Sequence, residues 1–130
     1  MVGSALVREL QNDFQLIAHH RGLCDLEDRR ATLDFFKRQA PDFVFHLAAK
    51  VGGIKANMSD PVGFLNANAL INCHVLQACH EAGVKKTLVL GSSCVYPREC
   101  RQPMREQDLM SGPLEPETPF TNFKNSRTPS

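Results

Sequence analysis

The sequence predicts an α/β protein built on a parallel sheet, and three observations carry that prediction. Short apolar runs of strand length, "FQLIA", "FVFHLAA" and "KTLVL", recur along the chain. Longer segments with helical periodicity lie between them. Each apolar run ends in a stretch of small or polar residues, where the crevice of an open α/β sheet lies.

The elements follow in order. "GSALVRELQN" predicts a first helix with Ser4 as its cap and Ala5, Leu6 and Leu10 on one side. Phe14 to Ala18 predicts a strand. "LEDRRATLDFFKRQ" predicts an amphipathic helix whose inner face is Leu33, Phe35 and Phe36. Pro41-Asp42 opens a second strand, "PDFVFHLAA". The longest helix follows, with Asp60 capping it, Pro61 in its first turn and Gly83 closing it. Its apolar positions, Leu65, Ala69, Leu70, Ile71, Val75, Leu76 and Cys79, cover more than one face, which predicts burial on two sides or use at an interface. "KKTLVLGSS" predicts the third strand. From Pro97 onward proline and charge dominate, and the expectation is loop with at most a short turn.

Composition narrows the function classes. The chain has 130 residues, one domain's worth, with 42% hydrophobic and 22% charged residues. A net charge of +1 without a lysine/arginine block argues against nucleic acid or an anionic membrane as partner. No apolar run reaches the roughly 18 residues of a spanning helix. "MVGSALVREL" has neither the basic start nor the apolar core of a signal peptide. Five cysteines without framework spacing predict free thiols in a reducing, cytoplasmic setting.

Three segments stand at predicted strand ends: "HHRGLCDL", "AAKVGGI" and "GSSCVYP". The last places two hydroxyls, a thiol and a phenol within five positions, a reactive site or an ordinary polar turn. "CHVLQACH" invites a metal reading, since Cys73 and Cys79, like His74 and His80, are six apart. Six helical residues turn about 600°, so each pair faces different sides and no metal is expected. His46 alternates with apolar neighbours and reads as a core histidine. Tyr96 reads as a ring packed under its loop.

"HLAAKVGGIKAN", "LGSSCVYP" and "QPMREQDLMSGPLEP" together resemble the GDP-L-fucose synthases, a branch of the extended short-chain dehydrogenase/reductases. The likeness runs from Met1 to about Pro116. It implies a partial Rossmann-like, doubly wound parallel sheet over residues 1–116, with residues 117–130 a divergent, disordered tail. It implies NADP as cofactor and a GDP-sugar, GDP-4-keto-6-deoxy-D-mannose, as substrate, with epimerisation at two carbons before reduction of the ketone. It implies a homodimer formed through the long helix. By the same resemblance Ser92 is the catalytic serine, hydrogen-bonding the keto oxygen, and Cys94 is the epimerisation cysteine.

The resemblance also assigns the cofactor residues. Gly3 is the last glycine of the Gly-x-x-Gly-x-x-Gly loop. Arg21, where an acidic residue would grip the NAD ribose, suits the extra phosphate of NADP. Asp25 and Leu26 line the adenine. Ala48 and Ala49 pass close to the cofactor, and Leu90, Gly91 and Ser93 belong to the same lining. Asn68 reads as a structural hydrogen-bonding asparagine.

Two departures from the family's pattern shape the expectation. The family opens with a central strand and two further glycines, which this chain lacks. It follows "LEP" with a Tyr-x-x-x-Lys turn, where this chain has "ETPFTNFKNSRTPS" and places Phe120 and Lys124 at the pair's positions with one gap, or Thr121 and Asn125 without one. A fragment that does not catalyse the reaction by itself is therefore expected. The alternatives are a catalytically dead nucleotide-binding or dimerisation module, and another extended-family member acting on UDP-sugars.

Overall fold

A computed structural model describes residues 2–113, with the side chains of Ile54 and Cys94 outside the description. The expected tail at 117–130, with Phe120, Thr121, Lys124 and Asn125, lies outside the described residues. The elements are helix α1 (Val2–Leu10), helix α2 (Arg29–Gln39), strand β1 (Phe43–His46), helix α3 (Ile54–Ser59), helix α4 (Pro61–Glu81) and strand β2 (Lys86–Val89). Short 3-10 turns follow at Ser93–Val95 and Glu106–Asp108. The chain forms two compact units: Met1–Ala49 with Ala69–Leu90, and Lys50–Asn68 with Gly91–Ser130.

In the first unit β1 and β2 pair in parallel, with Phe43 opposite Lys86 and His46 opposite Val89. The backbone ladder extends past both ends, from Lys85 N–H to the Asp42 carbonyl at 2.9 Å and from Leu90 N–H to the His46 carbonyl at 3.2 Å. The strand predicted at Phe14–Ala18 is not one. No ladder bond joins it to another strand among the described residues, and the sheet has two strands. A strand is defined by the neighbour that takes its amides, so an apolar pattern alone cannot make one. Phe14, Leu16 and Ile17 stay exposed there.

The core lies between α2 and the second half of α4. Phe35 and Phe36 from α2 and Ile71, Val75, Ala78 and Cys79 from α4 form one buried cluster with Cys24 and Leu26. The spacing 71, 75, 78, 79 is one helical face. Burial on two sides is therefore not what α4 shows: Leu70 and Leu76 remain exposed on the other side.

Caps fix the helix limits. The Asp28 carboxylate accepts from the Ala31 amide at 3.0 Å, so α2 starts three residues later than its apolar pattern suggests and leaves Leu26 in the preceding loop. Asp60 does the same for α4, accepting from the Gly63 amide at 2.9 Å ahead of Pro61. At the other end Gly83 takes a left-handed φ of 72°. Val84 N–H reaches the Cys79 carbonyl at 2.9 Å and Gly83 N–H the His80 carbonyl at 3.2 Å, a Schellman closure that returns Val84 to the core. Ser4 caps nothing, because α1 already begins at Val2; α1 buries no residue fully and Ala5 is exposed.

Replacing Phe36 with alanine should cost about 3–5 kcal/mol in urea unfolding, the range for deleting a buried aromatic. Phe43→Ala, at a position 60% exposed, should stay within about 0.5 kcal/mol. Equal losses would mean that the Phe43 face is packed as tightly as the α2–α4 seam.

Candidate functional site

The proposed cofactor residues of the first unit lie at four places. Arg21, Asp25 and Leu26 share the loop ahead of α2. Arg21 is the most exposed of them, and its guanidinium lies 3.3 Å from Glu27 and 3.7 Å from Asp25. Ala48 packs half-buried against the core at the end of β1, and Ala49 is exposed beside it. Leu90, 53% exposed, continues the ladder of β2 through its amide. Gly3 sits in the first turn of α1, where an added Cβ would come 3.7 Å from Leu47 Cδ1.

His46 is buried on β1, and its Nε2–H donates to the Asn72 side-chain oxygen of α4 at 2.9 Å. Burial holds its pKa below the usual histidine value of 6.5, against the upward pull of the Asn72 hydrogen bond. Burial likewise pushes the Cys24 and Cys79 thiols up, which keeps both protonated and unreactive. Cys73 is exposed where Cys79 is buried, and among the described residues no three His, Cys, Asp or Glu side chains gather as a metal site.

The second unit holds the second strand-end segment from Lys50 onward and the third in full. In the former Asn68 grips the backbone of Lys50 from both sides: its Oδ1 accepts from the Lys50 amide at 2.7 Å, and its Nδ2 donates to the Lys50 carbonyl at 3.0 Å. The Lys50 ammonium stands 3.7 Å from Asp60 and 4.8 Å above the Phe64 ring. Gly52 is needed for close packing: a Cβ there would come 2.9 Å from Phe64 and 3.1 Å from Ala56. Asn57 donates to the Gly52 carbonyl at 3.1 Å. α3, which the sequence pattern did not predict, carries Ala56 and Asn57 into this loop. At six residues it is too short to show a periodicity.

The serine turn follows. Gly91, Ser92 and Ser93 are exposed, and a Cβ on Gly91 would meet nothing within 4 Å among the described residues. The Ser92 carbonyl accepts from Val95 at 3.2 Å and the Ser93 carbonyl from Tyr96 at 3.1 Å, so the hydroxyls ride on a wound backbone. Tyr96 is half-buried and Pro97 buried. The Cys94 side chain lies outside the described residues. The structure thus brings Arg21, Asp25 and Leu26 into one loop and Gly91, Ser92 and Ser93 into one turn. Reading the sequence missed Lys50, whose signal was only its place beside a strand end, and weighed His74 only as a metal ligand.

Two recesses of about 270 Å³ and 180 Å³ are lined by Arg29, Arg30 and Leu33, and by Phe43, Val44, Phe45, Lys86 and Leu88. Neither contains a proposed site residue; an open site at strand ends does not form a closed cavity. No described helix is long and apolar enough to cross a membrane.

A family model described as the NAD dependent epimerase/dehydratase family matches residues 1–127. GDP-L-fucose synthase of Escherichia coli (strain K12) is 45% identical over 118 residues, which are 89% of this chain and 37% of that protein. Putative GDP-L-fucose synthase 2 of Arabidopsis thaliana is 42% identical over 118 residues, again 89% of this chain and 36% of the relative. Among solved structures, DdhaC superposes with a TM-score of 0.86 at 36% identity, over 96% of this chain and 37% of that one. A GDP-L-fucose synthetase from Naegleria fowleri bound to NADP gives 0.78 at 31% identity, over 93% of this chain and 36% of that one. The chain spans little more than a third of the length of these curated relatives.

Stability should be full above pH 6.5 and fall as the pH drops below it, because the unfolded His46 then binds a proton that the folded one resists. Urea midpoints between pH 8 and pH 5 test this, and His46→Gln should flatten the slope. An unchanged slope would assign the effect to other groups. In the Lys50 loop, Gly52→Ala should cost about 1–3 kcal/mol through overpacking. Gly53→Ala, with nothing within 4 Å of its Cβ position, should be close to neutral.

Proposed function

The chain belongs to the NAD dependent epimerase/dehydratase family, and on that premise we propose that it is the nucleotide-binding portion of an NADP-dependent GDP-sugar epimerase/reductase of the GDP-L-fucose synthase type. The observation that carries the proposal is the 45% identity to a GDP-L-fucose synthase across both units. The substrate of this reading is GDP-4-keto-6-deoxy-D-mannose, and the setting cytoplasmic.

The residues fit the dinucleotide. Arg21 presents an exposed guanidinium, and its two carboxylate contacts are solvent-facing ion pairs of the kind worth about 0–1 kcal/mol. A phosphate with two charges competes well against them. Among the described residues nothing lies within 4 Å of a Cβ placed on Gly91, which leaves its backbone open to close approach. NADPH, when bound, supplies the hydride for ketone reduction.

The chain's own residues then divide the work. Arg21 binds the extra phosphate, with Asp25 and Leu26 flanking the adenine and Gly3 beside the pyrophosphate. Ala48, Ala49, Leu90, Gly91 and Ser93 supply small or backbone surface along the cofactor. Ser92 donates its hydroxyl proton as a hydrogen bond to the keto oxygen, which stabilises the negative charge that develops there. Cys94 moves a proton on the carbon beside the ketone.

A second reading, a nucleotide-binding module that dimerises, is favoured by Val62, Leu70 and Leu76, all exposed on α4. The two readings share the homodimer and the cofactor.

Titration of the chain with NADPH and with NADH tests the proposal. NADPH should bind more tightly. Arg21→Ala should weaken NADPH by about 10–100-fold, the worth of a charge-assisted hydrogen bond, and leave NADH nearly unchanged. Equal affinities for the two cofactors in the wild-type chain would overturn the NADP assignment.

A further inference from the structure

The loop that carries Arg21 has an alternating construction. Cys24 and Leu26 turn their side chains into the core, at 7% and 8% exposure. Asp25, exposed, and Glu27, half-buried, both contact the Arg21 guanidinium. Side chains claim the backbone carbonyls at 24, 26 and 28, and the Asp25 carbonyl accepts from the Asp28 amide at 3.1 Å and from the Thr32 hydroxyl at 3.5 Å. The Cys24 carbonyl accepts from His19 Nε2–H at 2.9 Å, and the His19 ring is set edge-on against Phe35 at 5.6 Å. The Leu26 carbonyl accepts from His74 Nδ1–H at 3.2 Å. The Asp28 carbonyl accepts from the fully buried Thr32 hydroxyl at 2.8 Å.

These bonds come from three places: the loop itself, α4 and α2. His74 is the one that ties the loop to the crossover helix, 48 residues away in sequence. A carbonyl can only accept, so the His74 atom that meets it must carry the hydrogen. Losing that donor leaves the carbonyl of a buried residue without its partner, at the point where the chain turns Asp25 and Glu27 outward.

We propose that His74 is a positioning residue for the cofactor-phosphate arginine: by fixing the Leu26 carbonyl it fixes the backbone of the loop from which Arg21 presents its guanidinium. This rests on the NADP assignment of Arg21. His74 touches neither cofactor nor substrate and acts through the loop.

The test compares wild type, His74→Ala and His74→Asn, the asparagine retaining an N–H donor. Amide hydrogen exchange across residues 20–28 reads the loop directly. The alanine variant should exchange on the order of tenfold faster there than wild type, with β1 and β2 unchanged, as expected for losing a single hydrogen bond. NADPH affinity should fall by about the same factor and NADH affinity much less, and the asparagine variant should restore both readouts. Unchanged exchange in the loop, or an equal rise in loop and strands, overturns the proposal. So does an asparagine variant that folds but restores nothing. If wild type binds no NADPH while the loop still loosens on His74→Ala, the cofactor assignment falls and the clamp stands.

Discussion

Two parallel strands cannot be joined by a turn; the chain must travel back along the sheet before pairing again. α4 makes that return, and most of what is ordered in the first unit hangs from it. One face supplies Ile71, Val75, Ala78 and Cys79 to the core. Its polar residues do a different task. Asn72 meets His46, His74 meets the Leu26 carbonyl, and Asn68, in the second unit, holds Lys50. A helix that was apolar all round would bury as much area and position nothing.

That division explains how a site made of loops can be definite. The hydroxyls and the guanidinium assigned to chemistry are exposed, and exposure by itself leaves a side chain free to wander. Their backbones are not free. Polar side chains reach in to hold the carbonyls and amides of the Arg21 loop and of Lys50, and the serine turn winds on its own carbonyls. Hydrogen bonds of this kind contribute modestly to stability, about 1 kcal/mol each, but they fix direction, which packing alone does not.

Much of the fold was legible because its signals are local. Asp60 and Gly83 declare helix ends through the atoms they offer, whereas Asp28, three residues into the apolar pattern, was hidden inside it; the helix-period pattern of α2 and α4 needs no knowledge of neighbours. The error at Phe14–Ala18 has the opposite character. Its composition suits a strand, yet pairing is a property of two segments, and only one can be seen in a sequence window. The apolar positions of α4 predict burial on two sides or use at an interface for a related reason, since an apolar residue does not say what faces it. The site followed the same divide. Arg21, Ser92 and Cys94 stood out through resemblance, while His74 was weighed only as a metal ligand. Its partner is a backbone carbonyl, and carbonyls leave no mark in a sequence.

The Phe14–Ala18 segment and the β1–β2 pair carry one more consequence. Phe14, Leu16 and Ile17 are exposed along a strand-like stretch, and Phe43, Phe45 and Leu88 are exposed on the sheet. An apolar segment without a ladder partner and a sheet with open edges are the two halves of an intermolecular contact. The chain's behaviour should therefore depend on how much of it is present. In dilute solution each molecule keeps these groups in water. As concentration rises, other copies compete with water for the same amides and rings, and strand pairing between copies becomes the alternative to leaving them solvated.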